Sequence, residues 1–281
     1  MGNHDGRVYL VGAGPGDPEL ITLKGLRCLR AAEVIVYDRL VSLALLDEAS
    51  PQAERVYVGK ESGCHILAQQ EINELLIAQA RLGRTVVRLK GGDPFLFGRG
   101  GEEAEALAEA GIPFEIVPGV SSALAVPAYA GIPLTHRNYA AQVTFVTGHE
   151  SLPGQSAASV NWEPLAKLEG TLVILMGLAN LASIACRLIA FGMSPLTPAA
   201  VIEQGTLPTQ RTVTGTLEHI AAQVLAEGIS SPALIVIGAV SALHPSLAWF
   251  ETGSRTSDVE MRSILRAEGS TEESSLVCRT S

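Results

Sequence analysis

The sequence predicts an α/β protein built as two α/β domains with a ligand cleft between them, and three observations carry that prediction. Apolar residues make up 47% of the 281-residue chain and charged residues only 17%, the balance expected of strands buried between helices. Short apolar runs alternate with helical patterns throughout the first half. Glycine-rich loops follow two of those runs, at the strand ends where open α/β sheets bind ligands.

Taken in order, strands are expected at Val8–Gly12, Glu33–Tyr37, Arg55–Gly59, Thr85–Leu89 and Phe114–Val117. Each is a run of mainly apolar residues bounded by turn formers or polar residues. A helix is expected over Thr22–Ala31, with Thr22 as its N-cap, and a second over Ile66–Leu82, where Ile72, Leu75 and Leu76 recur at helical spacing. This β–α–β rhythm implies a largely parallel sheet. The prolines and glycines of "PAYAGIPLTHRN" mark a junction at Ile132–Asn138, separating a domain over residues 7–133 from one over 134–250. In the second domain strands are expected at Gln142–Thr147, Thr171–Met176, Ala199–Glu203, Arg211–Gly215 and Ala233–Gly238. Their closer spacing and shorter helices predict a mixed sheet. From residue 251 onward the chain is polar and rich in Ser, Glu and Arg, the composition of a disordered tail.

Charge and cysteine usage narrow the function. A net charge of -9 speaks against nucleic-acid binding through broad phosphate neutralisation and leaves room for a local anion pocket. Cys28, Cys64, Cys186 and Cys278 are scattered with no C-x-x-C pair, so neither a metal knuckle nor a disulfide framework is expected. Isolated thiols suit a reducing compartment. No apolar run approaches the roughly 18 residues of a membrane span, and the first residues contain no signal-peptide apolar region. The expected setting is the cytoplasm, away from membranes.

The two glycine loops exclude the common nucleotide sites. In "VGAGPGDP" the third small residue of the dinucleotide fingerprint G-x-G-x-x-G is replaced by Asp17, followed by Pro18, which cannot bring a helix N-terminus onto a pyrophosphate. In "KGGDPFLFGRGGEE" Gly98 precedes Arg99 and Gly100, so the lysine and hydroxyl of a P-loop are absent. Gly91, Gly92, Gly98, Gly100 and Gly101 crowd around Asp93, Phe95 and Phe97. A ligand approached closely by backbone and bounded by an aromatic wall fits that pattern.

"VGAGPGDPELITLKG", "VIVYDRLV", "VVRLKGGDPFLFGRGGEE", "VPGVSSALAVPAYAGIPLTHR", "VTFVTGH", "LVILMG", "QRTVTGTLEHI" and "SPALIVIGAVSAL" occur in this order from residue 7 to about residue 245. Together they resemble the tetrapyrrole methylase family. The resemblance implies a two-domain protein, usually a homodimer, that holds S-adenosyl-L-methionine between its domains and releases S-adenosyl-L-homocysteine. It further implies uroporphyrinogen III as substrate, methylated at C2 and C7 through precorrin-1 to precorrin-2, on the way to sirohaem, cobalamin or haem d1. A cofactor without phosphate explains a glycine loop without a phosphate-gripping lysine. By the match, Pro15, Gly91, Gly92, Asp93, Leu96, Ser121, Ser122, Met176, Gly205 and Ala233 line the cofactor site.

An octa-anionic macrocycle requires local cations on an acidic protein. Arg99 and Arg137 are the first candidates because planar guanidinium groups match carboxylates, with Arg39 and Lys60 behind them. Carbon methylation also requires loss of a ring proton. Glu102, Asp38 and His149 are the candidate bases, His149 being best suited by its ordinary pKa, while Arg99 steers substrate or stabilises a developing anion. No dinucleotide-binding domain precedes the first strand, so a monofunctional methyltransferase is expected. The competing readings are a later corrin-ring methyltransferase of the family, a non-catalytic tetrapyrrole or nucleotide sensor, and a nicotinamide dehydrogenase.

Overall fold

The computed structural model describes residues 6–59, 68–149 and 160–250. Lys60, Cys64, the first residues of the helix expected from Ile66, and the tail from residue 251, Cys278 included, lie outside the described residues.

The first sheet contains β1 (Arg7–Gly12), β2 (Val34–Tyr37), β3 (Glu54–Tyr57), β4 (Thr85–Lys90) and β5 (Phe114–Val117) in the order β3-β2-β4-β1-β5. All four pairings are parallel, as the β–α–β rhythm requires. Alternation along the strands feeds two cores. Val11, Ile35, Val87 and Leu89 face Leu29 of α1 (Leu23–Arg30) and the short turn carrying Leu45 and Leu46. Val8, Leu10, Val34, Val36 and Val86 face α2 (Gln69–Arg81) and α3 (Gly100–Glu109) through Ile72, Leu76, Ala104 and Leu107. Thr22 caps α1 as expected, its hydroxyl accepting from the Gly25 N–H at 3.0 Å.

The second sheet holds β6 (Val143–Thr147), β7 (Thr171–Leu175), β8 (Pro198–Glu203), β9 (Arg211–Thr216) and β10 (Ala233–Ile237) in the order β6-β7-β10-β8-β9. It is mixed: β6 and β7 are parallel, and β10 runs antiparallel to both β7 and β8. On one face α5 (Trp162–Ala166), α6 (Leu181–Ala190) and α7 (Ile220–Ala226) bury Trp162, Ile184, Leu188 and Ile220. On the other lies α4 (Ser122–Tyr129), whose Ala123 and Val126 pack with Val173, Ile202 and Leu234. The chain therefore changes sheets between β5 and α4, ahead of the junction expected at Ile132–Asn138. The reason is that α4 presents small apolar residues that only the second sheet covers.

Backbone contact draws together the loops that leave β1, β4 and β5. Gly14 and Gly92 exchange hydrogen bonds of 2.6 and 3.3 Å, and the Ala13 N–H donates to the Lys90 carbonyl at 2.8 Å. A Cβ on Gly12 would lie 2.5 Å from Gly119 Cα and 2.6 Å from the Gly92 carbonyl oxygen. Only glycine permits that approach. We predict that Gly12→Ala costs on the order of 1–3 kcal/mol in urea unfolding, because backbone rather than a flexible side chain must give way. Gly101→Ala, where an added Cβ meets nothing within 4 Å and a helix gains alanine, should leave stability equal or slightly higher in the same assay.

Candidate functional site

The carboxyl edge of the first sheet meets the second sheet where the β1 loop packs on the β8 loop, Asp17 on Thr206. From the first sheet come the β1 loop with Pro15, the β4 loop with Gly91 to Arg99, and Ser121, which follows β5. From the second come His149 after β6, Met176 after β7, and Gln204 to Thr206 after β8. β10 arrives from its amino end, with Ala233 opposite Glu203 and Leu234 opposite Leu175. The antiparallel register brings Ala233 level with Met176, and the Gln204 N–H donates to the Pro232 carbonyl at 2.9 Å.

Strain collects in these loops. Among the described residues, the non-glycine residues at positive φ are Phe97 (53°), Arg99 (58°), Met176 (55°), Gln204 (46°) and Thr206 (72°). Such conformations persist only where the surroundings enforce them, and they concentrate at functional sites. Thr206 is a β-branched residue, 1% exposed, and its hydroxyl shows what holds it. Thr206 Oγ1 accepts from the Asp17 N–H at 3.0 Å, and the Thr206 N–H donates to Gln210 Oε1 at 2.8 Å. The Tyr129 hydroxyl donates to Asp17 Oδ2 at 2.9 Å. Asp17, which breaks the dinucleotide fingerprint, is thus a buried tie between the β1 loop, the β8 loop and α4.

The expected cofactor residues fall along this edge with different duties. Asp93 accepts three backbone hydrogen bonds: Oδ1 from Phe95 and Leu96 at 2.8 and 3.1 Å, and Oδ2 from Gly119 at 3.0 Å. It therefore organises the β4 loop and ties it to the β5 loop, the turn-forming role, more than it presents a vacant carboxylate to a ribose. Ser121 caps α4, its Oγ accepting from the Ala123 N–H at 3.2 Å, and Ser122 begins that helix. Leu96 packs beneath, against the core that α4 shares with the second sheet. Met176 is 54% exposed and has a φ of 55°. Gly205 meets Val126 so closely that any Cβ would overlap it.

The candidate cations and bases divide sharply. Arg99 forks onto Glu102, with Nε to Oε1 at 2.9 Å and an Nη to Oε2 at 2.7 Å. Both side chains are more than half exposed. The hydrogen bond from Arg99 is the main reason the Glu102 carboxyl is held below its ordinary value, so while the fork is made Glu102 is a weaker proton acceptor than a free carboxylate. Asp38, following β2, accepts from the Leu40 N–H at 3.1 Å through Oδ1 and from Arg88 at 3.2 Å through Oδ2. His149 is exposed after β6. Arg39 and Arg137 are exposed, Arg137 within the turn closed by the His136–Ala140 bridge. Lys60 lies outside the described residues.

Sequence reading missed a buried charged cluster behind the β4 loop. Arg88 and Lys90 are each 4% exposed and Glu103 is fully buried. Glu103 Oε1 accepts from Lys90 Nζ at 2.8 Å and from Arg88 Nε at 3.0 Å. Burial, then repulsion from Arg88, lowers the Lys90 pKa, and Glu103 opposes them. A separate cavity of about 560 Å³ opens at the opposite edge of the second sheet, lined by Thr144, Thr171, Met193 and Gly238, and takes no part in this region. Among the described residues no group of three or more His, Cys, Asp or Glu is placed to hold a metal ion.

Residues 7–221 match the family of Tetrapyrrole (Corrin/Porphyrin) Methylases. The chain belongs to that family. This methylase is 53% identical over 253 residues to an S-adenosyl-L-methionine-dependent uroporphyrinogen III methyltransferase of Methanosarcina barkeri, covering 90% of this chain and 99% of that protein. It is 50% identical over 245 residues to a sirohaem synthase of Thiobacillus denitrificans, covering 87% of this chain but only 50% of that longer protein. A crystal structure of uroporphyrin-III C-methyltransferase from Thermus thermophilus, complexed with S-adenosyl homocysteine, shares 44% identity at a TM-score of 0.70 and covers 84% of this chain and 99% of its own. The methylase is thus an α/β protein of two sheets.

The Arg99–Glu102 pair sets a pH expectation. Because the folded carboxyl of Glu102 titrates below its unfolded value, its contribution is present above the ordinary carboxylate range and lost as pH falls through the folded pKa. For so exposed a pair that contribution is under about 1 kcal/mol. Glu102→Gln should accordingly differ slightly from the parent in unfolding free energy at pH 7, and the difference should vanish in acid and in high salt.

Proposed function

We propose that this methylase is a monofunctional S-adenosyl-L-methionine-dependent C-methyltransferase that converts uroporphyrinogen III to precorrin-2 by way of precorrin-1, methylating C2 and then C7. The observation that carries the reading is the clasp of glycine loops at the carboxyl edge. Two loops joined backbone to backbone at Gly14 and Gly92 offer close main-chain approach without any phosphate-gripping group. Near-complete coverage of a uroporphyrinogen III methyltransferase at 53% identity supports the substrate. A cytoplasmic homodimer working apart from nucleic acid and membranes completes the proposal.

The residues present fit the cofactor. Pro15, Gly91, Gly92, Ser121, Ser122, Met176, Gly205 and Ala233 would hold it, small residues admitting adenosine and the Met176 thioether packing against an aromatic ring. When bound it supplies an electrophilic methyl group on a sulfonium sulfur. Each turnover breaks that carbon–sulfur bond, forms a bond to a ring carbon, and releases one proton from the macrocycle. The protein's main contribution is to align donor and acceptor. Arg99 and Arg137 bind carboxylates on the macrocycle rim, and Arg39 and Lys60 extend that set. Releasing the fork from Glu102 costs little, since the pair is exposed and weak, so a substrate carboxylate can exchange with it. Asp38, His149 and, once a substrate carboxylate has displaced it from Arg99, Glu102 are the acceptors for the proton.

Anaerobic incubation with S-adenosyl-L-methionine and uroporphyrinogen III should give a product heavier by two methyl groups, through a singly methylated intermediate, as followed by mass. Bound S-adenosyl-L-homocysteine without any methylation would redirect the reading to a later ring substrate. Arg99→Lys keeps the charge but loses the fork. Its turnover should fall by about tenfold, with the unfolding transition unchanged.

A further inference from the structure

The buried charged cluster does what the rest of the site does not explain. Along β4, side chains alternate faces, so Val86, Arg88 and Lys90 all point toward α2 and α3. Val86 meets the apolar core there, whereas Arg88 and Lys90 meet Glu103. Burying ionised groups is unfavourable, and a buried pair is often matched or exceeded in stability by apolar side chains of similar volume. Stability alone therefore does not account for the cluster.

Its position does. Lys90 is the residue before the glycine loop and Glu103 the residue after Glu102, so their 2.8 Å contact closes the whole segment from Gly91 to Glu102 into a ring. The same Glu103 oxygen receives Arg88 Nε, while the other face of that guanidinium reaches Asp38 Oδ2 at 3.2 Å and the Val36 and Leu89 carbonyls at 3.3 and 3.1 Å. Gln69 Nε2 approaches Glu103 Oε1 at 3.3 Å. Glu103 Oε2 has no partner among the described residues. One buried carboxylate oxygen thus holds both the end of the loop that carries Arg99 and, through Arg88, the carboxylate of Asp38.

We infer that Glu103, acting through Lys90 and Arg88, is a positioning residue that sets the Arg99 end of the glycine loop and Asp38 in register for methyl transfer. This rests on the methyltransferase reading of the cleft. The cofactor end of the loop has its own restraints, the Gly14–Gly92 bridge and the bonds to Asp93. Loss of the Lys90–Glu103 contact therefore acts on substrate and turnover and spares the cofactor.

The test is Lys90→Met/Glu103→Met in the full chain, assayed beside the wild type. Expected are a folded protein with a lowered unfolding midpoint, because Arg88 keeps Asp38 but loses its buried partner, a dissociation constant for S-adenosyl-L-homocysteine changed less than about twofold by calorimetry, and kcat reduced about tenfold or more with a raised KM for uroporphyrinogen III. Wild-type kcat and KM in the folded double variant overturn the inference. So does a loss of cofactor affinity as large as the loss of turnover, which is the mark of general loosening. Glu103→Gln, isosteric and still able to accept from Lys90, gives a second arm that does not depend on the double variant folding. It should show a several-fold loss of kcat with unchanged cofactor affinity, and wild-type kinetics would again overturn the idea. A wild-type protein that binds no S-adenosyl-L-homocysteine removes the methyltransferase reading itself, and the inference with it.

Discussion

Main chain touching main chain is the constraint on which the rest of this structure depends. With Gly12, Gly92 and Gly119 in van der Waals contact at the carboxyl edge of the first sheet, the loops after β1, β4 and β5 form a single surface. Everything specific is hung from it. Asp93 spans two of the loops, Ser121 begins α4 immediately beyond the third, and α4 carries the chain onto the second sheet. The buried tie of Asp17 to Thr206 and Tyr129 then fixes where that second sheet stands.

Much of this was legible from the amino acids. Apolar runs bounded by turn formers located all ten strands to within a residue or two, because the central strands are buried on both faces and close to uniform in composition. The glycine loops announced a ligand, and Asp17 announced that it was not a dinucleotide. What Asp17 does instead was hidden, since Thr206 and Tyr129 are far from it in sequence. The shift of α4 to the second sheet was hidden too: the punctuation at Ile132–Asn138 is strong in composition, but packing follows the apolar face of α4.

The buried cluster had left a trace. Arg88 and Lys90 interrupt an otherwise apolar strand at every second position, and charge in a strand covered on both faces demands a partner. Glu102 and Glu103 are adjacent and chemically identical, so composition does not separate them. Helix phase does, because Glu103 lies one position from Ala104 and four from Leu107, both buried. Glu102 is turned away to solvent and to Arg99, which is how two neighbouring glutamates come to have opposite duties.

The antiparallel course of β10 has a consequence for how such a protein changes over time. Because Ala233 stands at the start of its strand while Met176 and Gly205 follow the ends of theirs, neighbouring parts of this sheet edge are encoded by turns that share no sequence and belong to different connections. Substitutions in the turn before β10 nevertheless bear directly on the strained loop after β8, because the Gln204 N–H donates to the Pro232 carbonyl at 2.9 Å and the Ser230 N–H to Glu203 Oε1 at 2.9 Å. Segments that no stretch of sequence joins are thus bound to change together.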